Sequence, residues 1–235
     1  MRLESAIMKC GHRGACGYAP ENTRISFEKA LAMGVDAFEF DIQLSKDGHP
    51  VVIHDDTLER TTGVTGVVKD FTLKELKELD CSMGKSERQE ILTLEEVMEL
   101  TDKRCKLFIE LKAEHSVQPV VEQVMQAVMH KGWSYEQLFV ISFDHTQIAE
   151  ARTLCGDIRT SAIIVGIPVT LAQIAQEAGA WSINPGHHHL SQALVNDAHR
   201  RSLRVLTWTV NTPHDLAKVQ ALGVDGIFSD FPDRL

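Results

Sequence analysis

Short apolar runs alternate with amphipathic stretches along most of the chain. The runs have the length and β-branched content of buried strands, whereas the stretches repeat apolar residues at helical spacing. Strands are predicted near residues 6–11, 36–42, 105–111, 138–142, 159–165, 180–183, 203–209 and 225–229. Helices are predicted near residues 23–33, 93–101, 116–131, 145–155, 169–178, 191–202 and 213–222.

Eight strands that alternate with helices predict a parallel sheet with right-handed crossovers. We expect an α/β fold, a (β/α)₈ TIM barrel with a small insertion after the second strand. The 235 residues of the chain are close to the ~250 typical of such a barrel. A doubly wound open sheet is the alternative, although its GxGxxG phosphate loop is absent. Without repeats or linkers, residues 1–235 are expected to form one domain.

The interval between the second and third predicted strands is much longer than the others. Its first part, IQLSKDGHPVVIHDD, alternates like a hairpin around a turn at residues 46–49. A turn centred between Asp47 and Gly48 would place His54 opposite Asp41. The remainder, about 56–92, is interpreted as an insertion on the face of the barrel that carries function, where long loops shape substrate pockets.

Inward-facing acids mark the second and third predicted strands. Glu39 and Asp41 are two residues apart, so they share one face, while the intervening apolar residues face the helices. The same alternation points Glu110 and Lys112 inward on the next strand. Three carboxylates are hard oxygen ligands of the kind that Mg²⁺, Ca²⁺ or Mn²⁺ prefers. The alternative is that each acid is a solvated strand end or half of an ion pair.

Two histidines follow predicted strands close to these acids. His12 comes directly after the first strand and His54 ends the hairpin. Paired imidazoles suit acid–base catalysis because their unperturbed pKa is ~6.5. Arg13 and Lys112 could bind phosphoryl oxygens. With a divalent cation the site would carry a small positive charge and attract a phosphodiester, although the whole chain has a net charge of −9.

Composition excludes several other classes of protein. The acidic net charge gives no support to nucleic-acid binding. No apolar stretch approaches the ~20 residues of a membrane span, and the N-terminus lacks the apolar region of a signal peptide. The five cysteines form no CxxC motif, so we expect reduced, mostly buried thiols and a cytoplasmic location. We expect no stable membrane anchor, and the sequence leaves homo-oligomerisation open.

An ordered set of motifs spans nearly the whole chain and resembles the glycerophosphodiester phosphodiesterase family, bacterial cytosolic type. HRG or LEEV alone would be a weak signal, but E-x-D followed by HD at this spacing is specific. The motifs are HRG at 12–14, PENT at 20–23, EFDIQLSKDGHPVVIHDDTLERTT at 39–62, LTLEEV at 92–97, IELK at 109–112, WTVN at 208–211 and SDFPD at 229–233.

The resemblance implies a metal-dependent phosphoric diester hydrolase. Its small-molecule substrates would be glycerophosphodiesters such as glycerophosphocholine or glycerophosphoethanolamine, cleaved to sn-glycerol 3-phosphate and an alcohol. It implies one divalent cation, Mg²⁺ or Ca²⁺, with Mn²⁺ as an option. It also implies an insertion on the glycerol side. By motif position the metal ligands would be Glu39, Asp41 and Glu110, the general acid and base His12 and His54, and the phosphate-binding residues Arg13 and Lys112.

Several motif residues have more than one possible role. Trp208 could bind the glycerol or alcohol moiety of the substrate or cap the barrel core. Glu21 could orient Arg13 or serve as a helix-start acid, and Asp55 could orient His54 or Lys112 or begin a turn. His187, His188 and His189 match no assigned motif, and a solvated loop is the favoured interpretation. The alternative functions are a phospholipase acting on lysophospholipids and a non-catalytic barrel that binds a phosphate ligand.

Overall fold

A computed structural model describes residues 6–235, in which eight parallel strands surround a central core. The strands are β1 (Met8–Gly11), β2 (Ala37–Leu44), β3 (Pro50–Val52), β4 (Lys106–Leu111), β5 (Leu138–Ser142), β6 (Arg159–Ile164), β7 (Ser182–Pro185), β8 (Arg204–Thr207) and β9 (Gly226–Ser229). The helices are α1 (Arg24–Ala32), α2 (Glu59–Thr62), α3 (Leu73–Lys77), α4 (Leu94–Thr101), α5 (Val117–His130), α6 (His145–Leu154), α7 (Gln173–Glu177), α8 (Gln192–Arg200) and α9 (Pro213–Ala221).

The sheet closes on itself through β1. Cys10 pairs with Ala37 of β2 on one side and with Phe228 of β9 on the other, both in parallel register. Strand β3 lies outside the cylinder, where it pairs with β2 in antiparallel register and Val51 forms an isolated antiparallel bridge with Thr93. The predicted TIM barrel is therefore confirmed, and the open doubly wound sheet is excluded because β1 has neighbours on both sides.

Alternating side chains divide the strands between two hydrophobic layers. Phe38 and Phe40 face outward and pack around Phe27 of α1, with the Phe27 and Phe38 ring centroids 4.7 Å apart. Phe108 faces the barrel interior, where its ring stacks on Phe139 at 4.5 Å. Residues on the opposite face from Phe38 and Phe40 must therefore point inward, which confirms the predicted inward direction of the acids on β2.

The hairpin register differs by one residue from the sequence expectation. Ile42 pairs with Val52, and the amide of Ile53 donates to the carbonyl of Asp41, so Ile53 rather than His54 lies opposite Asp41. The cause is the turn, in which the amide of Ser45 donates to the carbonyl of residue 49 and five residues connect the strands. His54 nevertheless lies beside the acids, because the chain passes over the barrel mouth after β3.

The segment after the hairpin packs a small core of its own. Leu58 and Leu76 bury against Val51 and Ile53 of the hairpin, together with Ile91. Helix α3 begins at Leu73 with a capping box in which the Thr72 hydroxyl accepts from the backbone of residue 75.

Helix α7 is shorter than the predicted 169–178 and begins only at Gln173, after Pro168. Within residues 6–235, no helix is both long enough and apolar enough to cross a bilayer.

The loop after β1 is fixed against helix α1 by a glycine. Gly14 has φ +81°, and a Cβ there would lie 2.5 Å from the Ser26 Oγ and 2.8 Å from the Ser26 carbonyl carbon. Gly48 has nearly the same backbone, φ +82°, but open space around it. A comparison of the two positions therefore separates the cost of a left-handed backbone from the cost of a steric clash.

Substituting each glycine by alanine measures that difference. Gly48→Ala should cost about 1–2 kcal/mol of unfolding free energy, the penalty of a left-handed backbone. Gly14→Ala should cost about 1–3 kcal/mol more, because the methyl group must displace backbone atoms of Ser26. Urea unfolding of both variants measures the two costs. Equal losses of unfolding free energy would contradict the steric argument for Gly14.

Candidate active site

A pocket opens at the carboxyl ends of the barrel strands, and its two halves differ in polarity. One half is charged and carries His12, Arg13, Glu39, His54, Glu110 and Lys112. The other half is largely apolar and carries Ile141, Phe143, Ile163, Asn184, Trp208 and Phe228. The pocket therefore suits a ligand with an anionic group at one end and a less polar group at the other.

Three buried carboxylates form the floor of the charged half. Glu39, Asp41 and Glu110 are at most 8% exposed, and each offers an oxygen within 4.8 Å of the others. Glu39 Oε1 is buried without any hydrogen-bond partner. Such burial excludes the interpretation of these acids as solvated strand ends.

Burial and mutual repulsion raise the pKa values of two of these acids. Burial, followed by repulsion from Asp41 and Glu110, raises the pKa of Glu39 well above its usual value. Burial and repulsion from Asp41 also raise the pKa of Glu110 to about 7, although Lys112 Nζ lies 2.9 Å from its Oε1. A divalent cation would relieve this repulsion and use the orphaned oxygen, so the donor set fits a hard cation.

His12 is held at one edge of the carboxylate cluster. Its Nδ1 lies 2.7 Å from Asp230 Oδ1, while its Nε2 lies 4.0 Å from Glu39 Oε2. Burial opposes ionisation of Asp230, but hydrogen bonds from His12, Cys16 and Asn211 lower its pKa to about 2. Asp230 is therefore an anion that fixes the ring of His12 through Nδ1.

His54 repeats this arrangement at the opposite edge. Its Nδ1 lies 2.6 Å from Asp55 Oδ1 and its Nε2 lies 4.0 Å from Asp41 Oδ1. Hydrogen bonds from Arg60, opposed by burial and aided by His54, lower the pKa of Asp55 to about 2. Both imidazoles thus have Nδ1 anchored by an aspartate and Nε2 directed towards the acids. Of the two side chains that Asp55 could orient, His54 is the one it contacts.

The cationic side chains of the pocket contact carboxylates. Arg13 donates from Nη1 to Glu21 Oε1 at 2.8 Å, and its Nε lies 3.4 Å from Asp41 Oδ2. Lys112 contacts Glu110 and lies 3.3 Å from His54 Nε2. Glu21 therefore contacts Arg13, as one of its two readings proposed, and it lies outside helix α1, whose N-cap is Thr23.

Arg60 links the insertion to this site. It donates to both oxygens of Glu21, at 2.7 and 2.8 Å, and to both oxygens of Asp55, at 2.6 and 3.1 Å. Because Glu21 contacts Arg13 and Asp55 contacts His54, one guanidinium supports residues on both sides of the pocket.

Trp208 lines the pocket rather than sealing the core alone. Its Nε1 donates to the carbonyl of Asn184 at 2.8 Å, and its ring meets that of Phe143 edge to face at 5.5 Å. The Asn184 amide Nδ2 is buried without a partner beside the same pocket. That amide is a free donor for a ligand oxygen.

The triple histidine forms a short 3₁₀ turn rather than an irregular loop. His187 is partly buried and contacts the Trp208 carbonyl through Nδ1 at 3.2 Å, whereas His188 is exposed. In residues 6–235, two groups of ligating side chains are close enough to share a metal ion. Neither group contains any of these histidines.

Sequence reasoning missed several residues of the site, among them Asp230, Asn22 and Arg60. Asp230 lies in the SDFPD motif without a predicted role, although its position directly after β9, the neighbour of β1, places it close to His12. Asn22 donates from Nδ2 to Asp41 Oδ2 at 2.8 Å from a left-handed backbone, φ 58°. Arg60 lies in the insertion, where no spacing rule predicts its partners.

The fold and the pocket together define a TIM barrel that can hold a cation and an anionic ligand at its mouth. A family model described as the glycerophosphoryl diester phosphodiesterase family matches residues 12–234. The glycerophosphodiester phosphodiesterase of Caldanaerobacter subterraneus subsp. tengcongensis is 34% identical over 228 residues, covering 95% of this chain and 94% of the relative. YhdW of Bacillus subtilis (strain 168) is 39% identical over 94% of this chain and 93% of its own length.

Solved structures agree with these relatives. A phosphodiesterase of Oleispira antarctica, determined in complex with the product sn-glycerol-3-phosphate, superposes with a TM-score of 0.87 at 29% identity, covering 96% of this chain and 93% of that one. The chain belongs to the glycerophosphoryl diester phosphodiesterase family and is a phosphoric diester hydrolase. The resemblance inferred from the motifs is thereby confirmed.

The double contact of Arg60 generates a prediction. Arg60→Ala should lower kcat/KM about tenfold, because Glu21 and Asp55 lose the group that fixes them and small displacements of catalytic groups are costly. Arg60→Lys should restore little, since an ammonium cannot bridge two carboxylates in the same way. Steady-state kinetics measure the effect.

Arg88→Ala is the matched control, because Arg88 pairs with Glu90 at 2.9 Å in the same insertion. Both alanine variants should unfold within about 1 kcal/mol of the unaltered chain, as for partly exposed ion pairs. Equal kinetics for the Arg60 and Arg88 variants would refute the link between insertion and site.

Proposed function

We propose that this chain hydrolyses glycerophosphodiesters, such as glycerophosphocholine or glycerophosphoethanolamine, to sn-glycerol 3-phosphate and an alcohol. The proposal rests above all on the two imidazoles, whose Nε2 atoms face the carboxylate cluster from the Glu39 edge and the Asp41 edge. Displacement at phosphorus needs a base for the attacking oxygen and an acid for the leaving oxygen, and groups on opposite edges meet that need. A barrel that only bound phosphate would not require both.

The proposed metal ligands are Glu39, Asp41 and Glu110. Bound there, a divalent cation such as Mg²⁺ or Ca²⁺ would neutralise charge on a non-bridging phosphoryl oxygen. Support comes from the burial of the three acids and from the unpartnered oxygen of Glu39. The ligands are all oxygen, which disfavours zinc at this position.

In the proposed reaction, Arg13 and Lys112 bind the phosphate, while His12 and His54 transfer protons from the attacking group and to the leaving alcohol. Arg13 offers a planar fork to two phosphoryl oxygens, whereas Lys112 acts as a point charge. One imidazole takes a proton at Nε2 from the attacking group, either water or the neighbouring glycerol hydroxyl, and the other delivers a proton from Nε2 to the leaving alcohol. If the glycerol hydroxyl attacks, water then opens the cyclic phosphate to give sn-glycerol 3-phosphate. Each Nδ1 keeps its aspartate partner, so an imidazolium formed during the reaction is stabilised.

The apolar half of the pocket gives a place to the uncharged part of the substrate. We assign Trp208 to contact with the glycerol or alcohol moiety, because its ring lines the cavity opposite the charged half. The product complex of the Oleispira antarctica relative supports the choice of a glycerol phosphate ligand.

One feature favours a second candidate, hydrolysis of lysophospholipids. The segment after β6 exposes Val165, Ile167 and Val169, and it follows the strand whose Ile163 lines the apolar half of the pocket. Exposed apolar side chains next to a pocket could accommodate an acyl chain. Lysophosphatidylcholine therefore belongs in the same assay as glycerophosphocholine.

The function is tested by product analysis under metal control. Purified protein with glycerophosphocholine should release choline and sn-glycerol 3-phosphate, EDTA should abolish release, and Mg²⁺ or Ca²⁺ should restore it. Glu39→Gln should raise the metal concentration for half-activation by roughly 10- to 100-fold or more, since even partners outside the ligand set cost that much. Enzymatic determination of both products provides the readout.

Glu99→Gln is the control, because Glu99 is an exposed acid on α4 with Lys131 Nζ 3.7 Å away. Unchanged metal activation in Glu39→Gln would eliminate the proposed ligand set. Turnover of lysophosphatidylcholine alone would replace the first function by the second. Binding of glycerol phosphate without turnover of either substrate would instead support the alternative of a non-catalytic barrel that binds a phosphate ligand.

The histidine roles give a separate prediction. His12→Ala and His54→Ala should each lower kcat by about 10²- to 10⁴-fold, the usual contribution of a general acid or base. Binding of Mg²⁺ or Ca²⁺ and the unfolding midpoint should change little, because neither ring belongs to the proposed ligand set of Glu39, Asp41 and Glu110. His130→Ala, at the exposed end of α5, should be unaffected. Near-normal turnover in either pocket variant would remove that residue from the mechanism.

A further inference from the structure

A second group of ligating side chains lies behind His12, away from the carboxylate cluster. Cys16 Sγ lies 3.0 Å from Asp230 Oδ1 and 3.9 Å from His12 Nδ1, and those two atoms are 2.7 Å apart. Four of the five cysteines are buried, and Cys16 is the partly exposed one. Cys16 lies between the HRG and PENT motifs and belongs to neither.

We propose that Cys16, His12 Nδ1 and Asp230 form an inhibitory site for zinc or another thiophilic divalent cation. Zinc prefers sulfur and nitrogen ligands at ~2.0–2.3 Å, so its ligand atoms lie roughly 3.3–3.8 Å from one another. The Sγ–Nδ1 separation of 3.9 Å is only about 0.1 Å longer than that range, and the other two separations need to widen by less than about 1 Å. The site differs in kind from the all-oxygen cluster on the other side of the ring.

The ligand atoms already converge on one point. The Cys16 thiol and the His12 ring both contact the same oxygen, Asp230 Oδ1, so a cation there would take the place of two protons. Burial raises the pKa of the Cys16 thiol, and Asp230 raises it further, so this thiol is a hydrogen-bond donor until a metal displaces its proton. Thiolate, carboxylate and Zn²⁺ together carry no net charge, which suits a partly buried position.

The backbone around the site is fixed, so binding would require little ordering. Asp230 receives hydrogen bonds from the Asn211 side chain and donates from its own amide to Asn211 Oδ1 at 2.9 Å. The amide of Gly17 donates to the Asp230 carbonyl at 2.9 Å. A Cβ on Gly17 would lie 2.4 Å from the Phe231 ring, so the two segments are in direct contact.

Zinc at this position would disable His12 as an acid or base. The thiol releases one proton to solvent, and the ring proton moves from Nδ1 to Nε2 as Nδ1 binds the metal. Nε2 then has no lone pair with which to accept a proton. As a neutral N–H it is also a much weaker acid than an imidazolium. The inhibition part of this inference rests on the proposed function, whereas metal binding does not.

Two measurements test the site with matched variants. In the presence of saturating Mg²⁺, Zn²⁺ is titrated into the unaltered protein, Cys16→Ser and Cys81→Ser, and turnover is expressed relative to each protein without zinc. Cys81 is the control because its buried thiol donates to the Gln89 carbonyl, which serine can also do. Loss of the thiolate should raise the half-inhibiting Zn²⁺ concentration at least about tenfold in Cys16→Ser alone.

The second measurement does not depend on turnover. Co²⁺ should give a near-ultraviolet thiolate-to-metal charge-transfer band in the unaltered protein and in His54→Ala, and the band should be missing in Cys16→Ser. The all-oxygen cluster cannot give that band. Equal zinc inhibition of Cys16→Ser and the unaltered protein, or no thiolate band, would overturn the proposal. If no substrate is hydrolysed, the proposed function fails while the cobalt spectrum still decides the metal site.

Discussion

Three carboxylates buried at one end of the barrel are the constraint around which the other polar groups are arranged. Glu39, Asp41 and Glu110 lie on adjacent strands, β2 and β4, and the apolar neighbours that bury them also strengthen their repulsion. Arg13, Lys112 and the Asn22 amide offset part of it and leave one oxygen of Glu39 unpaired. Burial and the remaining repulsion raise the pKa values of Glu39 and Glu110, and the unpaired oxygen fits a cation.

The imidazoles are a second layer built on that constraint. Each approaches the acids through Nε2 and is held from behind by an aspartate that does not belong to the cluster. The two aspartates come from distant parts of the chain, Asp55 beside the hairpin and Asp230 after the last strand. Closure of the barrel therefore contributes to the chemistry as well as to the fold, because it brings Asp230 next to His12.

The alternation of single residues made much of this predictable. Period two on β2 and β4 was enough to direct Glu39, Asp41 and Glu110 inward, and position after a strand was enough to find His12. The predicted pairing partner of Asp41 was wrong by one residue. The turn around Asp47 contains five residues, and the hydrogen bonds that fix its length depend on tertiary structure. The contacts of Asn22, Arg60 and Asp230 depend on a left-handed backbone, an irregular insertion and barrel closure, which local pattern does not encode.

The bridge made by Arg60 limits how this scaffold can diverge. Insertions on barrels are often regarded as exchangeable modules that alter specificity while the catalytic framework stays intact. Here the module supplies a side chain that steadies Glu21 and Asp55, and through them a phosphate-binding arginine and an imidazole on opposite walls. A transplanted insertion without an equivalent guanidinium would change the framework along with the specificity, so substrate range and catalytic competence are expected to evolve together.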